Sequence, residues 1–488
     1  MPPEKKLAAA FRILRRLQAE GYEAYLAGGC VRDLLLGRMP HDYDVATSAT
    51  PDVVLNLFPR TFAVGAHFGV VLVADEDASE PAPPQVVTEV ATFRADGLYS
   101  DGRHPDAVRY TLSAEEDVRR RDFTINGLLL DPLALATESS IPPFSAESAE
   151  EDGAPGGLLE HLPPETTRLR AAVVDYVGGL ADLDAGVVRA IGRAEARFEE
   201  DHLRMLRAVR FAARFGFALD PATEHAIRAL APRITAVSRE RVRDELTKML
   251  TEGHARRAFE LLLTTGLLAQ VLPEAVKMVG VEQPPQFHPE GDVWRHTLLL
   301  LDQLEPGCPM TLGWGALLHD IGKPATFRRA ADRIRFDGHV EVGVAIAADI
   351  CRRFRFSNDE TRQTLALVEN HMRFMDVQRM KDSTLKRMFR LEQFDQHLAL
   401  HRMDCLASKG DLENWEYARR RWQETPAVEV RPTPLITGRE LIAAGYQPGA
   451  QFRPILEAVE EAQLEGAIRT AEEALALVRA RFGAPPAA

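Results

Sequence analysis

Two glycines and two aspartates set close together near the N-terminus restrict this chain more than anything else in it. Ala24-Tyr25-Leu26-Ala27 reads as a short buried strand. Gly28-Gly29 then turns the chain into a stretch where Val31, Leu34 and Leu35 keep helical spacing, ending at Gly37. Strand, Gly-Gly, helix is a geometry that holds phosphate. Glycine lets the backbone approach closely, and the helix N-terminus presents free N–H groups and positive potential. Arg32 falls in the first turn, where its planar fork can reach a phosphate. A second strand, read over His41 to Ala46, carries Asp42 and Asp44 two residues apart, which in a strand puts both carboxylates on one face. Beside a phosphate cradle, such a pair can hold two Mg²⁺ ions for in-line attack on a triphosphate.

Either piece alone is an ordinary turn or a solvated strand. In this order and this close together they point to nucleotidyl transfer. The run Gly-Gly-x-Val-Arg-Asp-x-Leu-Leu-Gly followed by Asp-x-Asp-x-x-Thr resembles the head domain of the bacterial tRNA nucleotidyltransferase and poly(A) polymerase family, class II members of the polymerase β superfamily. The resemblance continues through later motifs to about residue 405. It implies an α+β fold: a polymerase β-like head with a mixed sheet and helices, followed by all-α neck, HD and tail domains.

A chain of 488 residues is too long for one core, and two to four domains are expected. The four cysteines (Cys30, Cys308, Cys351, Cys405) lie far apart without a C-x-x-C pair, which suggests a reduced cytosolic protein lacking a structural zinc site. No apolar run approaches the length of a membrane span. Lys5, Lys6, Arg12, Arg15 and Arg16 make the N-terminal helix amphipathic and argue against a secretory signal. A cytoplasmic location follows. The net charge of −13 is awkward for an RNA-binding protein. Much of the acid, however, sits in residues 74–84 and in 131–167, a stretch without Lys or Arg, while Arg119-Arg120-Arg121 and Arg204 to Arg214 are strongly basic. RNA binding is therefore expected to be local.

The division read from the chain is a head over 1–190, a helical neck over 191–282, an HD domain over 283–408 and a helical tail over 409–488. Within the head, 5–20 reads as a helix, Thr50-Pro51-Asp52 starts another that runs to about Phe58, and Thr61–Val64, Gly69–Val73 and Val86–Ala91 read as further strands. Residues 92–105 carry Arg94, Asp96 and Arg103 without helical period and read as a mobile loop. In the family a flexible loop here helps change specificity from C to A. Arg119-Arg120-Arg121-Asp122-Phe123-Thr124-Ile125-Asn126 enters the core through Phe123 and Ile125, holding an arginine near the cleft. The resemblance assigns the nucleotide contact to Arg121. Residues 131–170, rich in Pro, Glu, Ser and Ala, are given no fold. The sheet resumes at Ala172, and Val177-Gly178-Gly179-Leu180-Ala181-Asp182-Leu183 resembles a family turn in which this chain has Tyr176 in place of proline.

Residues Glu199 to Phe215 read as one strong helix in which Asp201, Arg204, Arg207 and Arg210 recur every three positions as a polar stripe with an internal ion pair. Such a stripe is by default a solvated face. An Asp–Arg pair can also match the base edges of C and A, Asp accepting and Arg donating. The E-D-x-x-R helix is a signature of the class II family. By that resemblance Asp201 and Arg204 read the base, while Arg207 and Arg210 touch the nucleotide phosphates. A basic helix opens at Ser238, and Gln283-Pro284-Pro285-Gln286 reads as a linker.

His319-Asp320 closes an apolar helix before Ile321-Gly322-Lys323 and resembles the HD phosphohydrolase motif. His296, His319, Asp320 and Asp404 match its core ligands for a divalent metal (Mg²⁺, Mn²⁺, Ni²⁺ or Co²⁺), and His339 and His371 would permit a second. In some family members this domain hydrolyses 2′,3′-cyclic phosphates or phosphomonoesters.

The expected function is addition or repair of the 3′-terminal CCA of tRNA from CTP and ATP, with Asp42 and Asp44 on Mg²⁺, and Gly28, Gly29, Arg32 and Arg121 on the nucleotide. An enzyme adding only the terminal A, and a poly(A) polymerase, would use the same residues. Two readings from other classes are an HD phosphohydrolase acting on RNA ends and a non-catalytic RNA-binding scaffold. The paired aspartates oppose the scaffold, since without a metal they repel RNA. No membrane partner is expected, and a homodimer is left open.

Overall fold

The computed structural model describes residues 3–62, 69–74, 86–96, 108–132, 134, 164–286, 288–331 and 333–485. It divides into two units, Met1–Met249 with Arg257–Pro273 and Leu250–Arg256 with Glu274–Ala488.

In the first unit, helix α1 (Pro3–Ala19) buries Ala9, Ala10, Ile13, Leu14 and Leu17, the apolar face its spacing predicts. Strand β1 (Ala24–Ala27) follows and Gly28 turns the chain into α2 (Gly29–Leu35). Strand β2 is Val45–Thr47, α3 is Pro51–Leu57, and β3 (Thr61–Phe62), β4 (Val70–Ala74) and β5 (Val87–Thr92) complete one half of the sheet. Residues 75–85, most of the acidic insert, lie outside the described residues. The stretch read as a mobile loop is partly regular: β6 (Arg94–Asp96) pairs antiparallel with β7 (Val108–Tyr110), so Arg94 and Asp96 sit in a hairpin. The missed signal is Val108-Arg109-Tyr110, a β-prone partner more than ten residues away. Arg103 lies outside the described residues.

Helix α4 (Ala114–Arg119) is capped by Ser113, whose hydroxyl accepts the Glu116 N–H, and leads through a 3₁₀ turn (Thr124–Asn126) into β8 (Leu128–Leu130). A helix α5 (Pro164–Ala171) occupies the end of the segment read as foldless. The insert's prolines and acid give way there to a helix-compatible run in which proline opens the first turn. Strand β9 is Val173–Asp175. The sheet order is β3-β4-β5-β2-β1-β8-β9, with only β2 and β5 parallel to one another. Phe93, Val118, Ala27, Ala46 and Leu129 form a core against one face.

The unit then becomes helical, with α6 (Gly179–Ala185), α7 (Ala194–Glu200), α8 (Leu203–Phe215), α9 (Pro221–Leu230), α10 (Arg239–Thr251), α11 (Ala255–Thr264) and α12 (Leu267–Val271). The expected continuous helix over 199–215 is broken. Asp201 ends α7 in an extended conformation and its carboxylate accepts the Leu203 N–H at 3.0 Å. An Asp side chain that bonds local backbone competes with the helix, and here it starts a new one.

In the second unit, α13 (Pro273–Val276, all but its first residue) precedes α14 (Val293–Leu301), α15 (Met310–Leu318), α16 (Lys323–Thr326), α17 (His339–Arg353), α18 (Asn358–Asn370), α19 (Asp382–Met388) and α20 (Phe394–Ala407). Helix α15 is buried along its whole length except Met310, around Trp314. Five further helices follow between Glu413 and Phe482, the last three around Ile436, Leu441, Ile455, Val459 and Val478. The segment expected to be a linker at 283–286 is not free: Gln283 is buried and Glu282 bridges to Asp292. Its prolines signalled a turn, and the turn is packed. Among the described residues no helix is long and apolar enough to cross a membrane.

Candidate nucleotide and metal sites

The sheet register brings the head residues together. Leu26 of β1 faces Val45 of β2, and the Ala27 N–H donates to the Asp44 carbonyl at 3.0 Å, so Gly28 leaves the sheet beside Asp44. Val45 pairs in parallel with Val90, which sets Asp44 alongside Glu89 of β5. Gly28 has φ +73°, its N–H donates to Leu128 at 2.9 Å, and a Cβ there would stand 3.0 Å from Arg121 Nη1. Only glycine fits both that conformation and that approach.

Asp42 and Asp44 are not strand neighbours. The Asp44 carbonyl still accepts the Ala27 N–H, but β2 begins at Val45, and both aspartates lie in the connection before it. Their environments differ. Asp42 is 73% exposed and accepts Lys6 Nζ at 2.8 Å. Asp44 is half-buried; burial, then Glu89, push its carboxyl up to about 6 against the pull of Arg121. Glu89, on an exposed strand position, escaped the sequence reading because parallel pairing leaves no local signal.

Arg121 sits over this end of the sheet, tied to Asp117 at 3.0 Å. Asp117 also takes Arg120 at 2.7 Å, and the two arginines hold its buried carboxylate below the usual range against the cost of burial. Arg32 does not project to solvent. It is buried, bonded to Asp33 at 2.7 Å and to Asn126 Oδ1, with its guanidinium over the rings of Phe215 and Phe211. Asn126 in turn donates to Asp122 Oδ1 at 3.1 Å, and Asp122 Oδ2 accepts Arg207 at 2.7 Å.

Within the polar stripe, Asp201 and Arg204 turn to other partners. Asp201 pairs with Arg241 at 2.6 Å, and Arg204 pairs with Glu200 and donates to the carbonyls of Arg197 and Arg120. Arg207 pairs with Asp122, and Arg210 with the buried Glu245 at 2.7 Å. The break at Asp201 is the reason: out of the helix, its carboxylate meets α10 instead of Arg204. Arg241 and Glu245 were not singled out from sequence, since only the packing of α10 on α8 reveals them.

The HD residues converge from five helices. His319 and Asp320 close α15, His296 lies on α14, Asp404 on α20, His339 opens α17 and His371 follows α18. His296 Nε2 is 3.1 Å from Asp404, 3.4 Å from His319 Nε2 and 3.9 Å from Asp320 Oδ2. On its other oxygen Asp320 meets His371 Nε2 at 3.8 Å and His339 Nε2 at 3.9 Å. Gly322 permits this closeness, since a Cβ there would meet the His339 carbonyl at 2.1 Å. Four histidines therefore surround the Asp320 carboxylate, and Asp404 joins them through His296. Although burial opposes it, Asp404, Glu290 and Asp320 raise His296 to about 9, while burial takes His371 down to about 4. Among the described residues, His339 Nε2 and His371 Nε2 are buried without a hydrogen-bond partner. Orphaned imidazole nitrogens beside anionic oxygens fit a divalent cation. Lys323, whose Nζ lies 2.7 Å from Asp320, completes the shell.

Residues 24–140 match the Poly A polymerase head domain, 216–278 a domain described as the probable RNA and SrmB-binding site of polymerase A, and 292–406 the HD domain. Mixed sheet, Gly-Gly turn and aspartates, followed by helices and an HD cluster, define a polymerase β-like nucleotidyltransferase head fold joined to all-α domains. The chain is 37% identical over 297 residues to the CCA-adding enzyme of Lactobacillus gasseri, covering 60% of this chain and 63% of that one. It is 40% identical over 258 residues to that of Geobacillus thermodenitrificans, covering 53% of each. It thus spans between 53% and 63% of the length of these relatives. A lower identity, 29%, extends over 97% of both this chain and the CCA-adding enzyme of Levilactobacillus brevis. The solved Bacillus stearothermophilus CCA-adding enzyme in complex with CTP superposes with a TM-score of 0.68 at 26% identity, covering 99% of each chain. The chain thus carries a Poly A polymerase head domain and an HD domain and is similar to CCA-adding enzymes.

Proposed function

We propose that this chain is a cytoplasmic tRNA nucleotidyltransferase that adds or repairs the 3′-terminal CCA from CTP and ATP. The observation that carries the reading is the meeting of Gly28, Asp44 and Arg121 at one end of the sheet. The domain order and the CCA-adding relatives, one of them solved with CTP, support it.

Asp42 and Asp44 would hold Mg²⁺, which when bound orders the triphosphate and lowers the pKa of the attacking 3′-hydroxyl. The Gly28–Gly29 turn receives the triphosphate at the N-terminus of α2, and Arg121 neutralises charge beside it. Arg32 and Arg207, engaged through Asn126 and Asp122, would reach the nucleotide phosphates by exchanging a protein partner for the ligand. Arg210 would do the same from Glu245. Asp201 and Arg204 would choose the base, Asp201 leaving Arg241 to do so. The hairpin that holds Arg94 and Asp96 roots the segment expected to switch from C to A. We keep the division into head (1–190), neck (191–282), HD domain (283–408) and tail (409–488) as part of this proposal.

The HD cluster supports a second, separate site. His296, His319, Asp320 and Asp404 would hold a divalent ion, with His339 and His371 available to another. Such an ion supplies Lewis-acid chemistry for hydrolysis of phosphate esters at RNA ends. The test of the main reading is incubation with Mg²⁺, CTP and ATP of tRNAs ending at the discriminator base, in C and in CC. Growth from the CC end alone would mean an A-adding enzyme, and long A tracts would mean a poly(A) polymerase.

A further inference from the structure

His296 has two faces, and they meet different things. Its Nε2 turns to Asp404, His319 and Asp320. Its Nδ1 turns away from them, to Glu290 Oε1 at 2.8 Å. Both side chains are buried, the ring completely and the carboxylate to 5% exposure. The same Oε1 also meets His288 Nδ1 at 2.8 Å, and the two rings stand edge to face. Glu290 Oε2 is buried and, among the described residues, has no hydrogen-bond partner.

The loop that carries these residues is fastened at both ends. Glu282 bridges to Asp292. Asp292 accepts the Arg295 N–H at 2.7 Å, which caps α14, and the Gly280 N–H at 2.6 Å. Gln283 accepts Lys323 Nζ at 2.7 Å, and Lys323 in turn lies 2.7 Å from Asp320. One loop thus touches two members of the metal cluster from behind, His296 directly and Asp320 through Lys323.

An ionised carboxylate only accepts, so the ring nitrogen facing it must carry the proton. A neutral His296 is then protonated at Nδ1 and offers its lone pair at Nε2, toward the ligand cluster. A carboxylate behind a metal-binding histidine fixes ring and tautomer and raises the ligand's basicity. We propose that Glu290, held by His288, is a positioning residue of the HD metal centre: it locks His296 with Nε2 presented to the cation. The proposal rests on the reading of the HD cluster as a metal site.

The experiment titrates full-length protein with Co²⁺ and with Ni²⁺ by calorimetry, and follows the visible Co²⁺ absorption that reports ligand geometry. Glu290→Ala should weaken metal binding about 10- to 100-fold, the range for loss of such an outer partner, with the stoichiometry unchanged. Glu290→Gln, whose amide oxygen still accepts, should recover part of the loss, and His288→Ala should have a smaller effect. Affinities are read on protein shown folded by circular dichroism, so a merely structural role would lower the melting temperature and leave affinity per folded molecule alone. Wild-type affinity in folded Glu290→Ala would overturn the proposal and leave the metal site standing. Loss of one whole metal equivalent in His288→Ala would also overturn it, by making this trio a site of its own. A wild-type protein that takes no metal would remove both the proposal and the reading beneath it.

Discussion

Arg207 places two hydrogen bonds on one carboxylate oxygen of Asp122, at 2.9 and 2.7 Å, and so ties helix α8 to the segment that leads into β8. The other oxygen of Asp122 accepts Asn126, and Asn126 accepts Arg32. A single chain of polar contacts therefore runs from helix α8 to helix α2.

Asp122→Asn breaks this chain and leaves Arg207 uncompensated. Removing one member of a buried pair costs about 3 to 5 kcal/mol. Arg207 keeps 33% exposure, so a loss nearer 2 to 3 kcal/mol is expected, roughly. Burial opposes the charge on Asp122, but Arg207 outweighs it and holds the carboxyl at about 2, below an unfolded value near 3.9. A depressed carboxyl contributes stability above the unfolded value and loses it as pH falls through the folded one. Urea midpoints of wild type and Asp122→Asn should therefore differ most above about pH 4 and converge toward about pH 2.

Gly28→Ala forces a β-carbon into a left-handed backbone against Arg121. The conformation alone costs about 1 to 3 kcal/mol. Displacement of Arg121 should add a loss of about tenfold in kcat/KM for nucleotide, the equivalent of about 1.4 kcal/mol. Steady-state kinetics with CTP and with ATP would read it.

Asp201→Ala should relax the choice of base more than it slows addition. One lost bidentate contact corresponds to about 1 to 3 kcal/mol of discrimination. Competition of CTP with UTP on a tRNA lacking its end measures that ratio. Arg241→Ala removes the 2.6 Å partner of Asp201 without touching its oxygens, and should keep the choice of base while lowering thermal stability.

Saturating the HD cluster should stabilise the second unit. A cation present at 100 times its dissociation constant raises stability by about 2.7 kcal/mol, provided it binds only the folded chain. Thermal unfolding with and without Ni²⁺ should show this shift in wild type, lose it in His319→Ala, and lose it in wild type on addition of EDTA.

Much of the head could be read in the sequence because its signals are local. The Gly28–Gly29 turn, the apolar spacing of α2 and the proline start of α3 all act within a few residues. What escaped depends on partners distant in the chain. The strand thought to begin at His41 begins at Val45, where pairing with both β1 and the distant β5 sets in. The supposed Asp201–Arg204 pair is divided because Asp201 ends α7 in an extended conformation and finds Arg241 on α10. Glu89 reaches Asp44 only through the parallel β2–β5 pairing. In the second unit the adjacent His319-Asp320 announced the cluster, whereas Glu290 lay in a proline-rich stretch whose turns resemble a linker until the loop is seen packed.

The most direct measurement extends a tRNA that ends at its discriminator base, with Mg²⁺, CTP and ATP, resolved at single-nucleotide length. Three proteins are compared: wild type, Asp44→Asn and His319→Ala. The account predicts growth by three nucleotides in wild type and His319→Ala, and a loss of about a thousandfold or more in Asp44→Asn, since several kcal/mol of metal stabilisation go with that carboxylate. Undiminished growth in Asp44→Asn, or no growth by wild type on any tRNA end, would contradict it.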